Sequence, residues 1–421
     1  MKNYLLVFSL ILINSSIIFA QTIDLEQARS LALASSRSLA RYEMSIRNSI
    51  LNERNQLYSM LPQVSAGYQA NMNFMQDWEF INPIDTLNAN ANITISQVIF
   101  RGGKSFMERA IRAIDTENTR NDALAEYFNV LDAVDNAYYA VLESLSAVEA
   151  EESSLQSSIL SLAIAEIRAA NGMINQGDYL RALADKESRE NSRNQAQRNL
   201  NLNLTRFRNL TGIKGTVILE PINFDIYEDV LTHLARISYE EADELYDEFW
   251  NIMAVSNPSI AKASNNNRRA ELNFTSIIRD YAPVISASVT SRVLDYSTAN
   301  GFRSPTGSGS ISITGTIPID FWVLSNRVEQ SRNVRDMAAL DYIGIESSLE
   351  YTQRHYEFVT ERYRLSLSSV SDVNEVTSLL INSQNNLNRA SYSFLQSLSR
   401  LRSLCALDDE EKLLWLLLGR S

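Results

Sequence analysis

Two runs of the chain, both in the first of its two predicted hairpins, alternate strictly between apolar and polar residues. In that hairpin, 62–100, apolar side chains occupy every second position from Val64 to Phe74 and again from Leu87 to Ile95, with Ser, Gln, Asn and Thr between them. Such alternation over about ten residues predicts a β-strand with one apolar and one polar face. A tilted strand of that length can cross a bilayer, but a half-buried hairpin in water alternates in the same way. The hairpin alone leaves both interpretations open.

The segments that follow the hairpins are almost free of helix breakers. No proline lies between Pro83 and Pro221, and the only glycines within 104–211 are Gly172 and Gly177. Such segments predict very long helices. At ~1.5 Å per residue, the helix beginning at Lys104 would be on the order of 100 Å long, too long for an ordinary globular core. The returning helix has a thin apolar seam, typical of the wall of a water-filled tube or of a coiled-coil arm.

The same order of elements occurs twice along the chain. Helices at 24–60 and 240–281 end at Pro62 and Pro283, and each precedes a β-hairpin and a long helical hairpin. We divide the chain into a signal peptide (1–20), a first repeat (21–212, with β-hairpin 62–100 and helical hairpin 104–212), a linker (213–239), a second repeat (240–405, with β-hairpin 283–320 and helical hairpin 323–405) and a C-terminal tail (406–421). Four strands cannot close a barrel, because the smallest bacterial barrels have about eight, so several chains would have to share one.

The ends of the chain and its composition narrow the class of protein. Lys2, an apolar run and Ala20 make a secretory signal with cleavage expected after Ala20. Cys405 is the single cysteine, which excludes an internal disulfide framework and a multi-cysteine metal site. The net charge of −12 argues against nucleic acid as a partner.

Both predicted helix reversals carry a recognisable motif. The second reads Tyr363-Arg-Leu-Ser366, then five residues, then Asp372-Val-Asn-Glu375-Val; the first has Gly172, five residues, then Asp178-Tyr-Leu-Arg-Ala. These segments, and the strand exit 96–104, resemble the TolC-like outer membrane efflux proteins over essentially the whole mature chain. The chain departs from that family's pattern at Ser366 in place of glycine, at Asp320-Phe321-Trp322 without Gly-Gly, and at Arg37-Ser38 in place of Asn-Pro.

The resemblance implies an α+β membrane protein of the cell outer membrane that extends into the periplasm. Three chains would share one barrel of about 12 strands and build a long coiled-coil helical tunnel. The implied function is the passive exit duct of a tripartite efflux system for small molecules and drugs, with the linker as its equatorial region. The implied partners are outer membrane lipid, a periplasmic adaptor (membrane fusion protein), and an inner-membrane efflux transporter or ABC exporter. The alternatives are the duct of a type I protein secretion system and a soluble periplasmic coiled-coil scaffold without a pore.

The resemblance also assigns roles to individual residues. Asp372 and Glu375 would line the periplasmic aperture and set its selectivity, although acidic residues that begin a helix also simply cap it. Asp178 and Tyr363 would form a closed-state latch; otherwise they are an N-cap and a surface tyrosine. The tips that would dock the adaptor are formed by Gly172, Met173, Ile174, Ser366, Leu367, Ser368 and Ser369. The aromatic residues at the strand ends, which suit either core packing or membrane interfaces, are Phe74, Trp78, Phe80, Phe100, Phe321 and Trp322.

The sequence contains no recognisable catalytic motif. His233 and His355 are the only histidines, and neither belongs to a spacing that binds metal or activates a nucleophile. The sequence contains no phosphate loop or dinucleotide fingerprint. We expect no enzyme activity and no cofactor, so the energy for transport has to come from a partner.

Overall fold

The computed structural model describes residues 21–73, 86–234, 236–297, 301–303, 309–319, 322–337, 340, 389 and 391–418. These residues form two compact units, one drawn from the ranges 1–37, 127–250 and 356–421, the other from 38–126 and 251–355. Each unit therefore takes elements from both predicted repeats. The predicted signal peptide lies outside the described residues.

The first unit begins with a short parallel pair of strands. Strand β1 (Gln21–Ile23) pairs with β4 (Val217–Leu219), so part of the predicted linker joins the start of the described chain. Helix α1 (Leu25–Ser35) follows, capped by Asp24, which accepts a hydrogen bond from the Gln27 N–H at 2.6 Å. The remainder of the linker contains a 3-10 turn at Phe224–Tyr227 and helix α5 (Glu228–Leu234).

Two long helices form the predicted hairpin. Helix α3 (Lys104–Ala170) has 67 residues and α4 (Gln176–Thr211) has 36. They are separated at Gly172, whose φ of +68° is a left-handed conformation that glycine adopts without strain. Helix α4 ends at a second left-handed residue, Gly212, the C-cap that the sequence indicates.

The core of the first unit is built on the apolar stripe of α3. Tyr138 packs edge-on against Phe207 of α4, and its hydroxyl donates to the carbonyl oxygens of Ile23 and Glu220 at 3.1 and 2.7 Å. Helix α9 (391–404) and helix α10 (Glu410–Leu417), which lies in the predicted tail, each contribute buried leucines. The buried apolar residues of this core include Phe128, Leu131, Val134, Val141, Leu395, Leu398, Leu413 and Leu417.

The second unit combines helices with one antiparallel sheet. Its helices are α2 (Arg37–Tyr58), the first part of α3, α7 (Pro258–Ile278) and α8 (322–337). The strands are β2 (Gln63–Asn73), β3 (Thr86–Arg101), β5 (Val284–Ser297), β6 (Gly301–Arg303) and β7 (Gly309–Thr316). Strands β3 and β5 are neighbours, so the two predicted hairpins form one sheet. The four long strands and the long helices of the predicted fold class are confirmed, with β6 as an additional short strand pairing with the end of β5.

The two helices that precede the hairpins are each divided, whereas the sequence analysis predicts continuous helices at 24–60 and 240–281. Helix α6 (Tyr239–Ser256) gives way to α7 at Asn257, which caps the N-terminus of α7 ahead of Pro258. The earlier break falls at Ser36, whose ψ of 111° is extended. No proline lies at that break. Beside it, the Ser35 hydroxyl donates to the Leu210 carbonyl of α4 at 2.8 Å.

Candidate functional site

The sheet separates apolar and polar side chains onto opposite faces. One row across the four long strands is entirely apolar: Val64, Ile95, Val289 and Ile311. The adjacent row carries only hydroxyl groups: Ser65, Thr94, Thr290 and Ser310. The Oγ1 atoms of Thr94 and Thr290 lie 3.1 Å apart. The alternation seen in the sequence is therefore in register across strands from both repeats.

The apolar face is uncovered in a single chain. Tyr68 is 91 % exposed, Ile311 80 %, Ile313 74 % and Val64 69 %. A contiguous apolar surface of this kind is rare on a protein that is surrounded only by water. It therefore requires a covering, either lipid or another protein.

The sheet is also open at both edges. Among the described residues, β2 pairs with β3 alone and β7 pairs with β5 alone. Each edge leaves a row of backbone N–H and C=O groups without strand partners, over eleven residues in β2 and eight in β7. Such edges are templates for pairing with further strands.

The junction between the sheet and the helices is held by charges. Asp280, in the turn before β5, accepts hydrogen bonds from Lys104 at 2.6 Å and from Arg327 at 2.9 Å. These contacts connect the starts of α3 and α8 to that turn. Gly102 has a φ of +60°, and a Cβ atom there would lie 2.7 Å from the Ala282 Cβ. The predicted Gly-Gly exit of β3 is therefore sterically required at Gly102.

Exposed aromatic residues gather at this junction. Of the predicted set, Phe100 is 46 % and Trp322 71 % exposed, while Phe74, Trp78, Phe80 and Phe321 lie outside the described residues. The structure adds Tyr58, 58 % exposed at the end of α2, and Phe106, 74 % exposed in the first turn of α3. The sequence analysis did not predict these two, because they lie in helices and the strand alternation does not indicate them.

The described reversal between α3 and α4 is exposed at its tip. Met173 is 72 % exposed and Ile174 is half-buried. Asn175 caps α4 by accepting from the Asp178 N–H at 2.9 Å, so Asp178 is not the N-cap but an exposed residue of the first turn. The other predicted tip, latch and aperture residues lie outside the described residues: Tyr363, Ser366, Leu367, Ser368, Ser369, Asp372 and Glu375.

A buried ionic network, which the sequence analysis did not predict, lies in the first unit. Asp135 of α3 is completely buried and accepts two hydrogen bonds from Arg29 of α1, at 2.7 and 2.9 Å. Its Oδ2 atom also accepts from Ser399 at 2.7 Å and from Arg402 of α9 at 2.8 Å. Four hydrogen bonds are about as many as one carboxylate can accept. Because the donors lie in α1 and α9, Asp135 links these two helices to α3.

Glu410 completes this network from α10. Its carboxylate accepts from Arg29 at 3.0 Å and from the Tyr227 hydroxyl at 2.7 Å. Burial would raise the pKa of Glu410, but the charge of Arg29 and the two hydrogen bonds outweigh burial and lower the pKa below its ordinary 4.5. Burial also raises the pKa of Tyr227, which keeps its hydroxyl a donor. A sequence signal for the network exists, since Asp135 interrupts the apolar stripe between Leu131 and Tyr138.

Within the described ranges, no group of three or more His, Cys, Asp or Glu side chains is placed to hold a metal ion. Among the described helices, none combines the length and apolarity needed to cross a bilayer.

Known proteins resemble this chain in structure rather than in sequence. No protein-family model and no curated protein matches the sequence. The CmeC outer membrane channel of Campylobacter jejuni has a TM-score of 0.69 at 15 % identity, over 92 % of this chain and 88 % of that chain. VceC, an outer membrane protein of Vibrio cholerae, has a TM-score of 0.59 at 14 % identity, over 94 % of this chain and 96 % of that chain.

A third structure extends the same likeness. The MtrE outer membrane channel of Neisseria gonorrhoeae, in its open state, has a TM-score of 0.60 at 14 % identity, over 94 % of this chain and 88 % of that chain. At these identities the likeness concerns the fold. It covers nearly the whole chain, including both units.

Proposed function

We propose that this chain, which has the fold of the TolC-like outer membrane channels, is an outer membrane channel that works as a homotrimer. Three chains would each contribute their sheet to one closed barrel. The long helices would continue the duct into the periplasm. The channel itself would be passive and would serve as the exit of a tripartite efflux system.

The observation that carries this proposal is the sheet. It has an apolar face that needs a covering and two edges that need partners. Lipid would cover the apolar face, and strands of neighbouring chains would pair with the edges. The exposed edges β2 and β7 lie on opposite sides of the same sheet, so β7 of one chain can pair with β2 of the next. Repeating that contact closes a ring, which is how a heterologous interface gives a finite oligomer.

A soluble periplasmic scaffold is the less favourable alternative. It would leave Tyr68, Val64, Ile311 and Ile313 in water, and each would lose the stabilisation of about 1.5–3 kcal/mol that comes with burying a large apolar side chain. The junction aromatics Tyr58, Phe106 and Trp322 suit the interfacial position of aromatic residues at a membrane surface.

The proposed roles of the site residues follow the family resemblance. Asp372 and Glu375 would form carboxylate rings at the periplasmic aperture that attract cations. Asp178 and Tyr363 would latch the closed state. Gly172, Met173 and Ile174 would dock a periplasmic adaptor, and the exposure of Met173 supports that role.

The test is to purify the protein from the outer membrane fraction and to compare it before and after boiling on a denaturing gel. We expect a heat-sensitive trimer that conducts ions in planar bilayers, with the boiled sample as the control. A monomer that stays in the soluble periplasmic fraction and does not conduct would contradict the proposal.

The cargo needs a separate experiment. Deletion of the gene should cause drug hypersensitivity if the duct serves efflux, and expression of the wild-type chain should reverse it. Loss of one secreted polypeptide, without any change in drug tolerance, would instead identify the duct of a type I secretion system.

A further inference from the structure

An aromatic residue and an arginine lie one turn apart on each of the two helices that flank the first hairpin. On α2, Tyr58 follows Arg54 by four residues, and on α3, Phe106 precedes Arg109 by three. Residues three or four apart share one side of a helix. All four side chains are exposed, Tyr58 to 58 % and Phe106 to 74 %. Each helix therefore presents an aromatic ring near the sheet and a guanidinium group one turn further from it.

Contacts between α2 and α3 place the two pairs at matching levels. The Gln56 Nε2 atom donates to the Glu108 carboxylate at 3.1 Å, and the Thr116 hydroxyl donates to Glu53 at 3.4 Å. These two contacts run in opposite directions along the chain, so the helices are antiparallel neighbours. Both aromatic residues lie on the sheet side of the Gln56–Glu108 contact, and both arginines lie beyond it.

The two pairs lie on the side of the helices that continues the apolar face of the sheet. Arg101, on the polar face at the end of β3, has its Nη1 atom 3.4 Å from the Glu108 Oε1 atom. The contact between Glu108 and Gln56 therefore lies on the polar side. Residues two apart in a helix point about 200° away from each other. Phe106 is thus opposite Glu108, and Arg54 is opposite Gln56.

The two guanidinium groups give this side a positive charge that the chain itself does not balance. Within the described ranges, neither Arg54 nor Arg109 has an ion-pair partner. The neighbouring carboxylate of Glu53 is half-buried and accepts a hydrogen bond from Thr116. Two arginines beside one carboxylate leave one net positive charge, which suits an anionic ligand.

The spacing between ring and guanidinium matches the depth of a lipid headgroup. At ~1.5 Å per residue, Arg54 lies ~6 Å and Arg109 ~4.5 Å along its helix from its aromatic neighbour. Aromatic rings favour the boundary between acyl chains and headgroups, and the headgroup region of each leaflet is about 5–8 Å thick. In a membrane, both guanidinium groups would lie at the level of the phosphates, which arginine binds in a bidentate manner.

We propose that Arg54, Tyr58, Phe106 and Arg109 bind one anionic phospholipid of the periplasmic leaflet. This inference rests on the proposed function, which places the apolar face of the sheet in lipid. The two rings would contact the glycerol and the upper acyl chains, and the two arginines would bind the phosphate. The net positive charge selects an anionic headgroup over a zwitterionic one. A lipid bound in this way fixes the depth of the channel in the membrane.

Native mass spectrometry of the detergent-solubilised protein, titrated with phosphatidylglycerol or with phosphatidylcholine, measures the two affinities. The wild type should bind phosphatidylglycerol more tightly. Arg54→Gln and Arg109→Gln should each weaken that binding about fivefold, the ratio that corresponds to about 1 kcal/mol per basic residue near an anionic lipid surface. Phe106→Ala should weaken the binding of both lipids alike, because it removes apolar contact and leaves the charge unchanged.

Arg120→Gln is the matched control. Arg120 lies on the same exposed side of α3, eleven residues beyond Arg109 and ~16 Å further from the sheet, so its loss should leave both affinities unchanged. Equal affinities of the wild type for the two lipids, or equal losses in all three arginine variants, would overturn the lipid site while a conducting trimer stands. Displacement of phosphatidylglycerol by an equal concentration of inorganic phosphate would also overturn it. Recovery of the protein only from the soluble fraction would instead contradict the proposed function, on which the site rests.

Discussion

Arg29 donates hydrogen bonds to both carboxylate oxygens of Asp135, at 2.7 and 2.9 Å, across 106 residues of sequence. Asp135 is also the acceptor for Arg402, so one buried carboxylate balances two guanidinium groups. The amide in Asp135→Asn cannot supply that charge. We expect the variant to lose about 3–5 kcal/mol of unfolding free energy, because one partner of a buried ion pair is removed. The shift of the urea midpoint of the detergent-solubilised protein measures this loss.

A surface pair provides the control for that measurement. Lys262 lies 2.6 Å from Asp122, and their side chains are 41 % and 34 % exposed. Asp122→Asn should cost no more than about 1 kcal/mol, since solvent screens the pair. Equal midpoints for the two variants would show that the buried network does not dominate stability.

The acid sensitivity of the first unit should depend on Glu410. Its pKa is lower in the folded protein than the ordinary 4.5, so its contribution to stability is complete above about pH 4.5 and is lost as the pH falls through the folded value. Glu410→Gln lacks this contribution at every pH. We expect the difference in unfolding free energy between wild type and variant to be constant from pH 7 to 5 and to shrink below that range.

The pH series of chemical denaturation midpoints for both proteins tests this expectation. Other carboxylates titrate in both proteins, so the comparison isolates Glu410. A difference that grows on acidification would mean that the pKa is raised and not lowered.

Cys405 should be inert in the folded protein. It is fully buried, and burial raises the pKa of its thiol from 9.0 to about 12. The thiolate is the reactive form, so at pH 8 its population falls by about three orders of magnitude relative to a free cysteine. Maleimide labelling followed by mass spectrometry should detect modification in urea but almost none without it. Rapid labelling of the folded protein would contradict the buried position.

The two faces of the sheet should tolerate charge differently. Val289 belongs to the apolar face and its neighbour Ser288 to the polar face of β5. Val289→Arg should prevent assembly in the outer membrane, because arginine facing the middle of a bilayer costs about 2–4 kcal/mol. Ser288→Arg should still assemble and should change the conductance. The amount of heat-sensitive trimer in the outer membrane fraction distinguishes the variants, and the opposite order would reverse the assignment of the faces.

The elements that the sequence predicted best are those with a local cause. The alternation from Val64 to Met72, and the absence of breakers after Lys104, reflect side-chain periods and backbone preferences that neighbouring residues determine. The break at Asn257-Pro258 was not predicted, although it too has a local cause, a capping residue before proline. The break at Ser36 contains no proline, and the hydrogen bond beside it joins Ser35 to Leu210, 175 residues away in the sequence.

The pairing of the two hairpins and the buried ionic network were not predicted, because both depend on contacts between residues far apart in the sequence. The pairing of β3 with β5 joins residues such as Thr94 and Thr290, separated by 196 positions. The alternation in each hairpin is compatible with this pairing but does not specify it. The ionic network is similar, because Asp135, Arg29 and Arg402 each look like an isolated polar residue on an apolar helix face. Only the tertiary fold makes them partners.

The network also sets the order in which an exported chain can become stable. Arg29 and Glu410 are 381 residues apart, so their contact forms only after nearly the entire polypeptide has been delivered. A chain that stops before Arg402 and Glu410 retains Asp135 and Arg29 but lacks the residues that complete their environment. Such a fragment would be a preferred substrate for periplasmic proteases. We therefore expect a chain truncated before helix α10 to be less stable than the full-length chain and to be degraded faster.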